Sequence, residues 1–328
     1  MRVLVTGGAG FIGSHFVKRL VRTGEDVVVL DKLTYSGNRA NLAGVDHEFV
    51  EGDICDGDAV AEAAAGCDAI VNFAAETHVD RSILGPAEFI ATDVLGTQVL
   101  LDWARHAGAR LVQVSTDEVY GDLEAGGRSR EDDPLRPSSP YSASKAGGDL
   151  QVLAYVRTYR VDACVTRGAN TYGPNQYPEK LIPLFVTNAL DGEPLPVYGD
   201  GRQVREWLYV EDHCAGVEHV LRQGDAGEVY NVGGDERENL EITRRILELT
   251  GAGESLVRHV ADRPGHDRRY ALDATKLRAL GWQPSRPLEE GLEETVDWYR
   301  ANRAWWEPLK SGQYRTYYEQ QYAERLRG

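Results

Sequence analysis

The sequence predicts an α/β protein in which a doubly wound parallel sheet is followed by a smaller C-terminal α/β lobe that binds substrate. Three observations favour this fold class. Short β-branched runs alternate with helical patterns in the first half, a glycine-rich turn follows the first run, and proline- and glycine-rich loops punctuate the second half. The 328 residues, 42% of them hydrophobic, suffice for one large core and a second lobe.

Six strands are predicted in the first half, and several are nearly all apolar, as strands buried on both faces should be. They cover residues 2–6, 26–30, 47–50, 68–73, 110–115 and 162–166. Because helical segments lie between them, the strands should run parallel. The ligand crevice of such a sheet lies beyond the carboxyl ends of its strands.

After about residue 172 the pattern changes to loops and then to helices, predicted near residues 240–250 and 288–300. The aromatic-rich tail, residues 305–322, is predicted to pack on the body of the protein. We therefore predict a first domain over residues 1–172, to which the chain returns around 205–225, and a second domain that takes up most of residues 173–328.

Charge and composition exclude several classes of partner. A formal net charge of −16 disfavours nucleic-acid binding, which needs basic surface. No apolar run approaches the roughly 20 residues of a membrane helix, and the chain opens on a strand-like run, so we predict a cytoplasmic protein without membrane contact. Cys55, Cys67, Cys164 and Cys214 lack metal-ligand or Cys-x-x-Cys spacing, so we predict buried thiols and no metal site.

The turn after the first strand has the spacing of a dinucleotide site. Residues 6–13 read Thr-Gly-Gly-Ala-Gly-Phe-Ile-Gly, which places Gly7, Gly10 and Gly13 around Phe11 and Ile12. Glycines here allow a tight turn and let backbone N–H groups at a helix start approach a pyrophosphate. We predict a Rossmann-type cofactor site.

The second strand ends in Asp31, 18 residues after Gly13. Its carboxylate can accept hydrogen bonds from ribose hydroxyls and would repel a 2′-phosphate, so NAD is predicted in preference to NADP. Lys32 follows and could offset that repulsion. Asp53 and Ile54, after the third strand, could flank the adenine, or the residues before them could form only a turn.

Tyr141 and Lys145 lie one helical turn apart. A tyrosine hydroxyl is a poor base at neutral pH, because its ordinary pKa is about 10, and a nearby cation favours the phenolate. We therefore predict that Tyr141 is a catalytic base whose pKa is lowered by Lys145.

A hydroxyl and two carboxyl groups follow the fifth strand as Thr116, Asp117 and Glu118. Hydride transfer needs only a Tyr/Lys pair, so the extra acid and base indicate that water is also eliminated. Adjacent carboxyl groups push each other's pKa values apart, which would leave one protonated and the other ionised.

These motifs resemble the extended short-chain dehydrogenase/reductases and, among them, the dTDP-glucose 4,6-dehydratase family. The resemblance runs nearly end to end: TGGAGFIG at 6–13, DKLTYSGN at 31–38, AAETHVDRS at 74–82, STDEVYG at 115–121, YSASK at 141–145, YGPNQYPEKLIP at 172–183 and DRPGHDRRY at 262–270. The Thr-Asp-Glu triplet discriminates, because epimerases and decarboxylases of the same class usually lack it.

The resemblance implies a mechanism and assigns roles to this chain's residues. Tyr141 would deprotonate the C4 hydroxyl of the sugar while hydride passes to NAD, and Thr116 would hydrogen-bond the C4 oxygen. The resulting ketone acidifies C5, so Glu118 would remove the C5 proton as Asp117 protonates the departing C6 hydroxyl. The hydride would then return to C6.

The resemblance also implies an NAD-binding first domain and a nucleotide-sugar-binding second domain. The residues expected at NAD are Gly7, Gly10, Phe11, Ile12, Gly13, Asp31, Lys32, Leu33, Thr34, Asp53, Ile54, Ala74, Ala75, His78, Thr92, Tyr141, Lys145 and Thr171. Those expected at the small-molecule substrate are Thr77, Thr116, Asn170, Lys180, Leu181, Pro196, Val197, Tyr198, Arg205, Asn239, Asp262, Arg263 and His266.

Three residues depart from the family pattern. Thr77 stands where serine is common, Asp93 replaces a usual asparagine, and Thr171 replaces the second asparagine of a Ser-Asn-Asn run. Thr77 keeps a hydroxyl. Asp93 introduces an acidic group beside Thr92, which is expected near the nicotinamide.

Two further implications concern assembly and alternative functions. Helices near residues 95–106 and 142–159 would pair across a two-fold axis as a four-helix bundle, which predicts a homodimer, although their apolar faces could equally pack on the sheet. A dehydratase for a UDP- or CDP-sugar and a nucleotide-sugar 4-epimerase are the alternative enzymes. A noncatalytic NAD-binding scaffold is the alternative outside catalysis.

Overall fold

The structure, a computed structural model, describes residues 1–322, apart from the side chains of Gln313, Tyr317 and Gln320. Its strands are β1 (Arg2–Thr6), β2 (Asp26–Asp31), β3 (Glu48–Glu51), β4 (Ala69–Asn72), β5 (Arg110–Thr116), β6 (Ala163–Gly168), β7 (Asn170–Tyr172), β8 (Leu195–Tyr198), β9 (Val204–Tyr209), β10 (Val229–Val232), β11 (Asp235–Glu238) and β12 (Val257–Val260).

The helices alternate with the strands of the first half and dominate the C-terminal part. They are α1 (Phe11–Arg22), α2 (Gly57–Ala63), α3 (Val79–Leu84), α4 (Pro86–Ile90), α5 (Thr97–Ala107), α6 (Pro140–Tyr159), α7 (Leu181–Asp191), α8 (Val210–Gln223), α9 (Asn239–Thr250), α10 (Thr275–Ala279), α11 (Leu288–Ala301), α12 (Arg303–Trp306) and α13 (Gln313–Tyr322). Single 3₁₀ turns cover Arg39–Leu42, Asp117–Tyr120, Glu254–Leu256 and Pro308–Lys310.

Seven parallel strands form the main sheet, in the order β10-β6-β5-β4-β1-β2-β3. The order changes direction between β1 and β4, and such a switch point opens a ligand crevice at the carboxyl ends of the strands. The α/β fold class is therefore confirmed. All six predicted strands are present, within two residues at each end. The central ones are apolar runs that are buried on both faces of the sheet, whereas the edge strand β3 is only partly buried.

The seventh strand, β10, was not predicted. Helix α8 leads to it and packs on α1, so residues 210–232 rejoin the main sheet after the first part of the second lobe. A three-stranded sheet (β11-β9-β7) and a two-stranded sheet (β12-β8) lie outside the main sheet. The domain boundaries at residue 172 stay a prediction.

Alternate residues of each central strand enter two different cores. Val3 and Val5 of β1 face the core on the α1 and α8 side, whereas Leu4 faces the α2, α5 and α6 side. A third core joins α7, α9 and α11, and includes Trp306, Tyr314 and Tyr322 from the tail. The predicted packing of the tail on the body is confirmed, as are the predicted helices α9 and α11.

One helical segment is irregular. Between α4 and α5, residues Ala91–Gly96 form a π-helical turn, and the backbone stays helical throughout, so residues 86–107 wind as one interrupted helix. Helix α6 packs closely against this turn, since a Cβ at Gly148 would lie 2.7 Å from the carbonyl oxygen of Asp93. π-helical turns often occur at functional sites. In the part of the chain that is described, no helix is long and apolar enough to cross a membrane.

Candidate active site

The glycine turn is held so tightly that side chains cannot enter it. Gly7 has a positive φ of 66°, and a Cβ there would lie 2.6 Å from the backbone nitrogen of Ala74. A Cβ at Gly13 would lie 2.3 Å from the carbonyl oxygen of Gly7. Because the glycines have no side chains, the turn can pack closely on α1 while the backbone N–H groups at the start of the helix stay accessible. A dinucleotide pyrophosphate binds to such N–H groups.

Asp31 closes β2 beside this turn. Its carboxylate accepts hydrogen bonds from the backbone N–H groups of Ala9 (2.9 Å) and Leu33 (2.8 Å), and burial raises its pKa. The Lys32 ammonium lies 3.4 Å from Asp53 and 3.8 Å from Glu76, so two carboxylates already balance its charge. Lys32 is therefore less able to offset the repulsion between Asp31 and a 2′-phosphate than the sequence suggested. The acidic surroundings favour NAD over a 2′-phosphorylated cofactor.

The Thr116-Asp117-Glu118 triplet begins where β5 ends. Thr116 caps the 3₁₀ turn Asp117–Tyr120, because its hydroxyl oxygen accepts the N–H of Glu118 at 3.3 Å. The same hydroxyl donates to the Asp117 carboxyl at 3.1 Å. The capped turn fixes both acidic side chains relative to the end of the sheet.

The two acids have different surroundings. Asp117 is only 2% exposed, one of its carboxyl oxygens (Oδ2) has no hydrogen-bond partner, and burial raises its pKa well above the ordinary value, with Glu118 raising it further. Glu118 is partly exposed and lines both cavities described below. Asp117 is therefore suited to donate a proton, whereas Glu118 is the more accessible carboxyl group.

Tyr141 and Lys145 lie on the first turns of α6, which Ser139 caps. The Lys145 ammonium donates to the carbonyl oxygen of Val114 at 2.8 Å. The sequence predicted a lowered pKa for Tyr141, but the structure gives the opposite direction: burial raises the pKa well above its ordinary value, and Glu118 and then Asp93 raise it further.

A cavity of about 300 Å³ follows the carboxyl ends of the strands. It brings together most of the residues predicted at NAD and all five predicted catalytic residues. The predicted residues that line it are Gly7, Gly10, Phe11, Ile12, Gly13, Asp31, Lys32, Thr34, Asp53, Ile54, Ala74, Ala75, Thr77, Thr92, Thr116, Asp117, Glu118, Tyr141, Lys145, Asn170, Thr171, Lys180 and Leu181.

A second cavity of about 150 Å³ adjoins the first, and both are lined by Glu118, Asn170, Glu179, Lys180, Leu181 and Trp207. The other predicted substrate residues along it are Pro196, Val197, Tyr198, Arg205, Asn239, Arg263 and His266. Buried oxygens of Asn170 and Asn239 and the Nε of Arg263 have no hydrogen-bond partner. Such groups need a polar partner, which a nucleotide sugar would supply.

Neighbouring protein groups fix the positions of the basic residues that line this second cavity. Arg205 donates to the carbonyl oxygen of Asp267 at 2.8 Å and stacks over the Tyr270 ring, 4.3 Å from its centroid. Arg263 lies 3.5 Å from the Asp80 carboxylate. Burial and the Arg263 charge lower the pKa of His266 to about 4, so its imidazole is neutral near pH 7.

Three predicted residues lie elsewhere. Leu33 is outside the lining of both cavities and has a positive φ of 53°, while its N–H holds Asp31. Asp262 is also outside and accepts a 2.6 Å hydrogen bond from His266. His78, predicted at the cofactor, lines the second cavity instead, 3.4 Å from the carbonyl oxygen of Glu179.

Sequence reasoning missed several residues of the first cavity. His213 of α8 lies 2.6 Å from the Thr171 hydroxyl, its Nε2 has no hydrogen-bond partner, and burial lowers its pKa to about 4. Glu179 is buried and accepts hydrogen bonds from Arg81 (3.0 Å) and Tyr35 (2.8 Å). Glu179 lies within a quoted motif and could have been found there, but nothing local marks His213.

The site and the fold together define a class. A Rossmann sheet, a glycine turn, an acidic residue after β2 and a Tyr/Lys pair beside a second, basic cavity are the features of an NAD-dependent short-chain dehydrogenase/reductase that acts on an anionic nucleotide substrate. Among residues 1–322, no group of histidine, cysteine and acidic side chains is arranged to hold a metal ion.

Comparisons with known proteins narrow the class. Residues 4–295 match the family described as GDP-mannose 4,6 dehydratase. The chain is 57% identical, over 95% of its length and 96% of the relative, to a dTDP-glucose 4,6-dehydratase of Streptomyces niveus. It is also 57% identical, over 91% of its length and 98% of the relative, to the low-salt glycan biosynthesis protein Agl12 of Haloferax volcanii.

A solved structure agrees. The crystal structure of DesIV, a dTDP-glucose 4,6-dehydratase from Streptomyces venezuelae with NAD bound, is similar at a TM-score of 0.92 and 57% identity, covering 94% of this chain and 100% of that one. This chain belongs to the dTDP-glucose 4,6-dehydratase family.

Proposed function

We propose that the protein is an NAD-dependent hydro-lyase that converts dTDP-glucose into dTDP-4-keto-6-deoxyglucose. Family membership supports the reaction class and the cofactor. The roles of single residues are our proposal, and they rest on the geometry of the two cavities. The cytoplasmic location stays a prediction of the sequence.

The first cavity fits NAD. At Gly7 and Gly13 the turn has no space for a side chain, so a phosphate could approach the backbone directly. Asp31 lines the same cavity and could accept hydrogen bonds from the ribose hydroxyls. We assign Thr92, Tyr141 and Lys145, which line the same cavity, to the nicotinamide half. When bound, NAD supplies the hydride acceptor and donor that the chemistry needs.

The first chemical step is oxidation at C4 of the sugar. Tyr141 takes the proton of the C4 hydroxyl as the C–H bond at C4 gives up its hydride. We assign Thr116, which lines the same cavity as Tyr141, to hydrogen-bond the C4 oxygen. The raised pKa of Tyr141 means that the base must be activated by positive charge, and Lys145 is the cation on the same helix face.

Elimination of water follows. The C4 ketone acidifies the C5 proton, which Glu118 removes, and Asp117 delivers its proton to the C6 hydroxyl as the C6–O bond breaks and water leaves. Asp117 is suited to this role because its burial raises the pKa of the carboxyl group well above the ordinary value and so favours the protonated form. Hydride return to C6 and protonation at C5 complete the reaction, and no net oxidation occurs.

The nucleotide end occupies the second cavity in our proposal. Arg205, Arg263 and Lys180 are the buried or half-buried cations there, and together they can balance a diphosphate inside an acidic protein. We place the base between Pro196, Tyr198 and their neighbours on β8, where one face is apolar and the Tyr198 hydroxyl is polar.

One observation carries the proposal: the buried Asp117 carboxyl group, whose pKa burial raises well above its ordinary value, stands beside the more accessible Glu118 where the two cavities adjoin. An enzyme that only moves hydride to and from C4 has no use for that pair. A nucleotide-sugar 4-epimerase is therefore the weaker candidate.

The test follows a labelled hydrogen. dTDP-glucose carrying deuterium at C4 is incubated with the protein and NAD, and the product is examined by NMR. We expect deuterium at C6 of a 4-keto-6-deoxy sugar, and, in heavy water, solvent deuterium at C5. Deuterium that stays at C4 of an epimerised sugar would overturn the proposal. Parallel reactions with UDP- and CDP-glucose measure the preference for the base.

We also propose a homodimer. Large apolar side chains are exposed on the helices that follow β4 and on α6, as a paired-helix interface requires. They are Ile83, Leu84, Ile90, Leu95, Leu150 and Tyr159. Their clustering on neighbouring helices supports a four-helix interface between two copies of the chain.

A further inference from the structure

Asp93 is a buried acid that the proposed chemistry does not use. It lies in the π-helical turn Ala91–Gly96 and is only 1% exposed. Its backbone carbonyl accepts a 2.7 Å hydrogen bond from Thr97 and lies against Gly148, so the residue cannot move away from α6 without breaking this packing.

The carboxyl group of Asp93 points at the catalytic helix. Its Oδ2 accepts a 2.6 Å hydrogen bond from the Ser144 hydroxyl. Its Oδ1 has no hydrogen-bond partner and lies 4.0 Å from the Lys145 ammonium. An acid sealed from solvent beside a single cation is placed to interact with it strongly, because little water screens the two charges.

We propose that Asp93 competes with Tyr141 for the charge of Lys145, and that its protonation state thereby sets the pH range in which Tyr141 accepts the substrate proton. Asp93 is a positioning residue in this scheme, since it acts through Lys145. The inference rests on the proposed role of Tyr141 as the base.

The surrounding charges fit this role. Ionisable groups that act on Asp93 or respond to it are Lys145, Tyr141 and Asp149 on α6 and Glu76 after β4. Two more lie on or next to the elements packed against the π-helical turn: Cys55, which donates to the carbonyl oxygen of Ala91 in that turn, and Glu88 on α4. Asp149 is paired with Arg167 at 2.9 Å, and Glu88 is exposed. Lys145 is thus the nearest available cation.

The sign of the effect follows from the buried carboxyl group. Burial raises the pKa of Asp93 to about 6, and the Lys145 charge opposes that rise. The Asp93 charge raises the pKa of Tyr141. In our scheme the ionised Asp93 carboxylate also neutralises part of the charge of Lys145, whose ammonium lies 4.0 Å away. Removing the Asp93 charge should therefore lower the pKa of Tyr141 and extend activity to lower pH.

The test compares the pH dependence of kcat/KM for the wild type and Asp93→Asn, both loaded with NAD. Asparagine keeps the shape and is the residue of the family pattern. We expect the acidic limb to move to lower pH by about 0.5–1 unit in the variant, with equal activity on the alkaline plateau. Identical limbs, or a limb that moves to higher pH, would overturn the proposal.

Ser144→Ala separates an electrostatic effect from a packing effect. It removes a hydrogen bond that favours the charged carboxylate, so it should shift the limb of the wild type in the same direction, by less, and leave that of Asp93→Asn unmoved. Equal shifts in both backgrounds would mean that Ser144 does not act through Asp93, which contradicts the scheme.

Thermal unfolding gives a readout that needs no turnover. The pKa of Asp93 is raised in the folded protein, so its ionisation destabilises the fold as pH rises through about 6. We expect the Tm of NAD-loaded Asp93→Asn to rise relative to the wild type from about pH 4 to about pH 6, and the difference to level off at higher pH. A difference that does not change with pH would show that Asp93 does not titrate there.

Discussion

Asp117 and Glu118 are neighbours in sequence, yet their side chains lie in different environments. The capped 3₁₀ turn directs Asp117 into the interior, where burial raises the pKa of its carboxyl group, and leaves Glu118 in the lining of both cavities. One acid and one base are thus obtained from two similar side chains by environment alone.

We expect Asp117→Asn with Glu118→Gln to retain nucleotide binding and C4 oxidation but to lose water elimination. Both replacements keep the shape of the side chains and remove the proton transfers, which contribute about 10²–10⁴-fold each. Single-turnover absorbance of NADH should show oxidation of dTDP-glucose, and NMR should show no 6-deoxy product.

Glu124→Gln is the matched control, because Glu124 is exposed, a few residues away. It should dehydrate the substrate at the wild-type rate. Normal dehydration by the double variant would show that the assigned acid and base are others.

In our proposal, the charge of Asp31 governs the choice between NAD and NADP. Asp31→Asn removes the negative charge beside the ribose and keeps an acceptor for the N–H of Ala9. We expect the ratio of the NADP and NAD dissociation constants to change by about tenfold in favour of NADP, measured by calorimetry. An unchanged ratio would mean that Asp53 and Glu76 alone exclude the phosphate.

At the scale of elements, the glycine turn and α1 act as one unit. The start of the helix can face a phosphate only because Gly13 packs directly on the backbone of Gly7. The packing, not flexibility, is what requires glycine at position 13.

Gly13→Ala should therefore impair both binding and stability. The added Cβ would lie 2.3 Å from a carbonyl oxygen, so the backbone must shift, at a cost of about 1–3 kcal/mol in the free energy of unfolding. Denaturant unfolding and NAD titration measure the two effects. Gly57→Ala, which meets no atom within 4 Å at the start of α2, should leave both unchanged.

The sequence predicted the central strands well because burial on both faces demands long apolar runs. It did not predict β10, which has four residues and follows α8, since nothing local indicates which sheet so short a strand joins. The π-helical turn at Asp93 was missed for a similar reason, as its geometry depends on contact with α6.

The candidate site was predicted where motifs follow the strands. His213 and Trp207 were missed because β9 and α8 bring them to the cavity from far along the chain. The raised pKa of Tyr141 was also out of reach of the sequence, because it depends on burial and on the Glu118 and Asp93 charges around it.

For the whole molecule, the exposed apolar side chains on α3 to α6 are the feature that one chain does not explain. Ile90 is 58% exposed and Leu150 is 56% exposed. A second copy of the chain would cover them and remove this surface from water.

We expect Ile90→Glu with Leu150→Glu to give a monomer in sedimentation, where the wild type sediments as a dimer. The free energy needed to remove two unpaired carboxylates from water at the interface would exceed the free energy gained from the remaining apolar contacts. Ala61→Glu, on the exposed face of α2, adds charge elsewhere and should not change the oligomeric state. A wild-type protein that sediments as a monomer would contradict the proposal.

The two cavities share a wall, and that wall couples their occupants. Glu118, Asn170 and Lys180 belong to both linings, so in our proposal the nucleotide sugar and NAD contact the same side chains. If the two ligands favour each other's binding, thermodynamic linkage requires that each raises the affinity of the protein for the other by the same factor. Tight binding of both molecules suits this reaction, because hydride passes from the sugar to NAD and back to the sugar before the product is released.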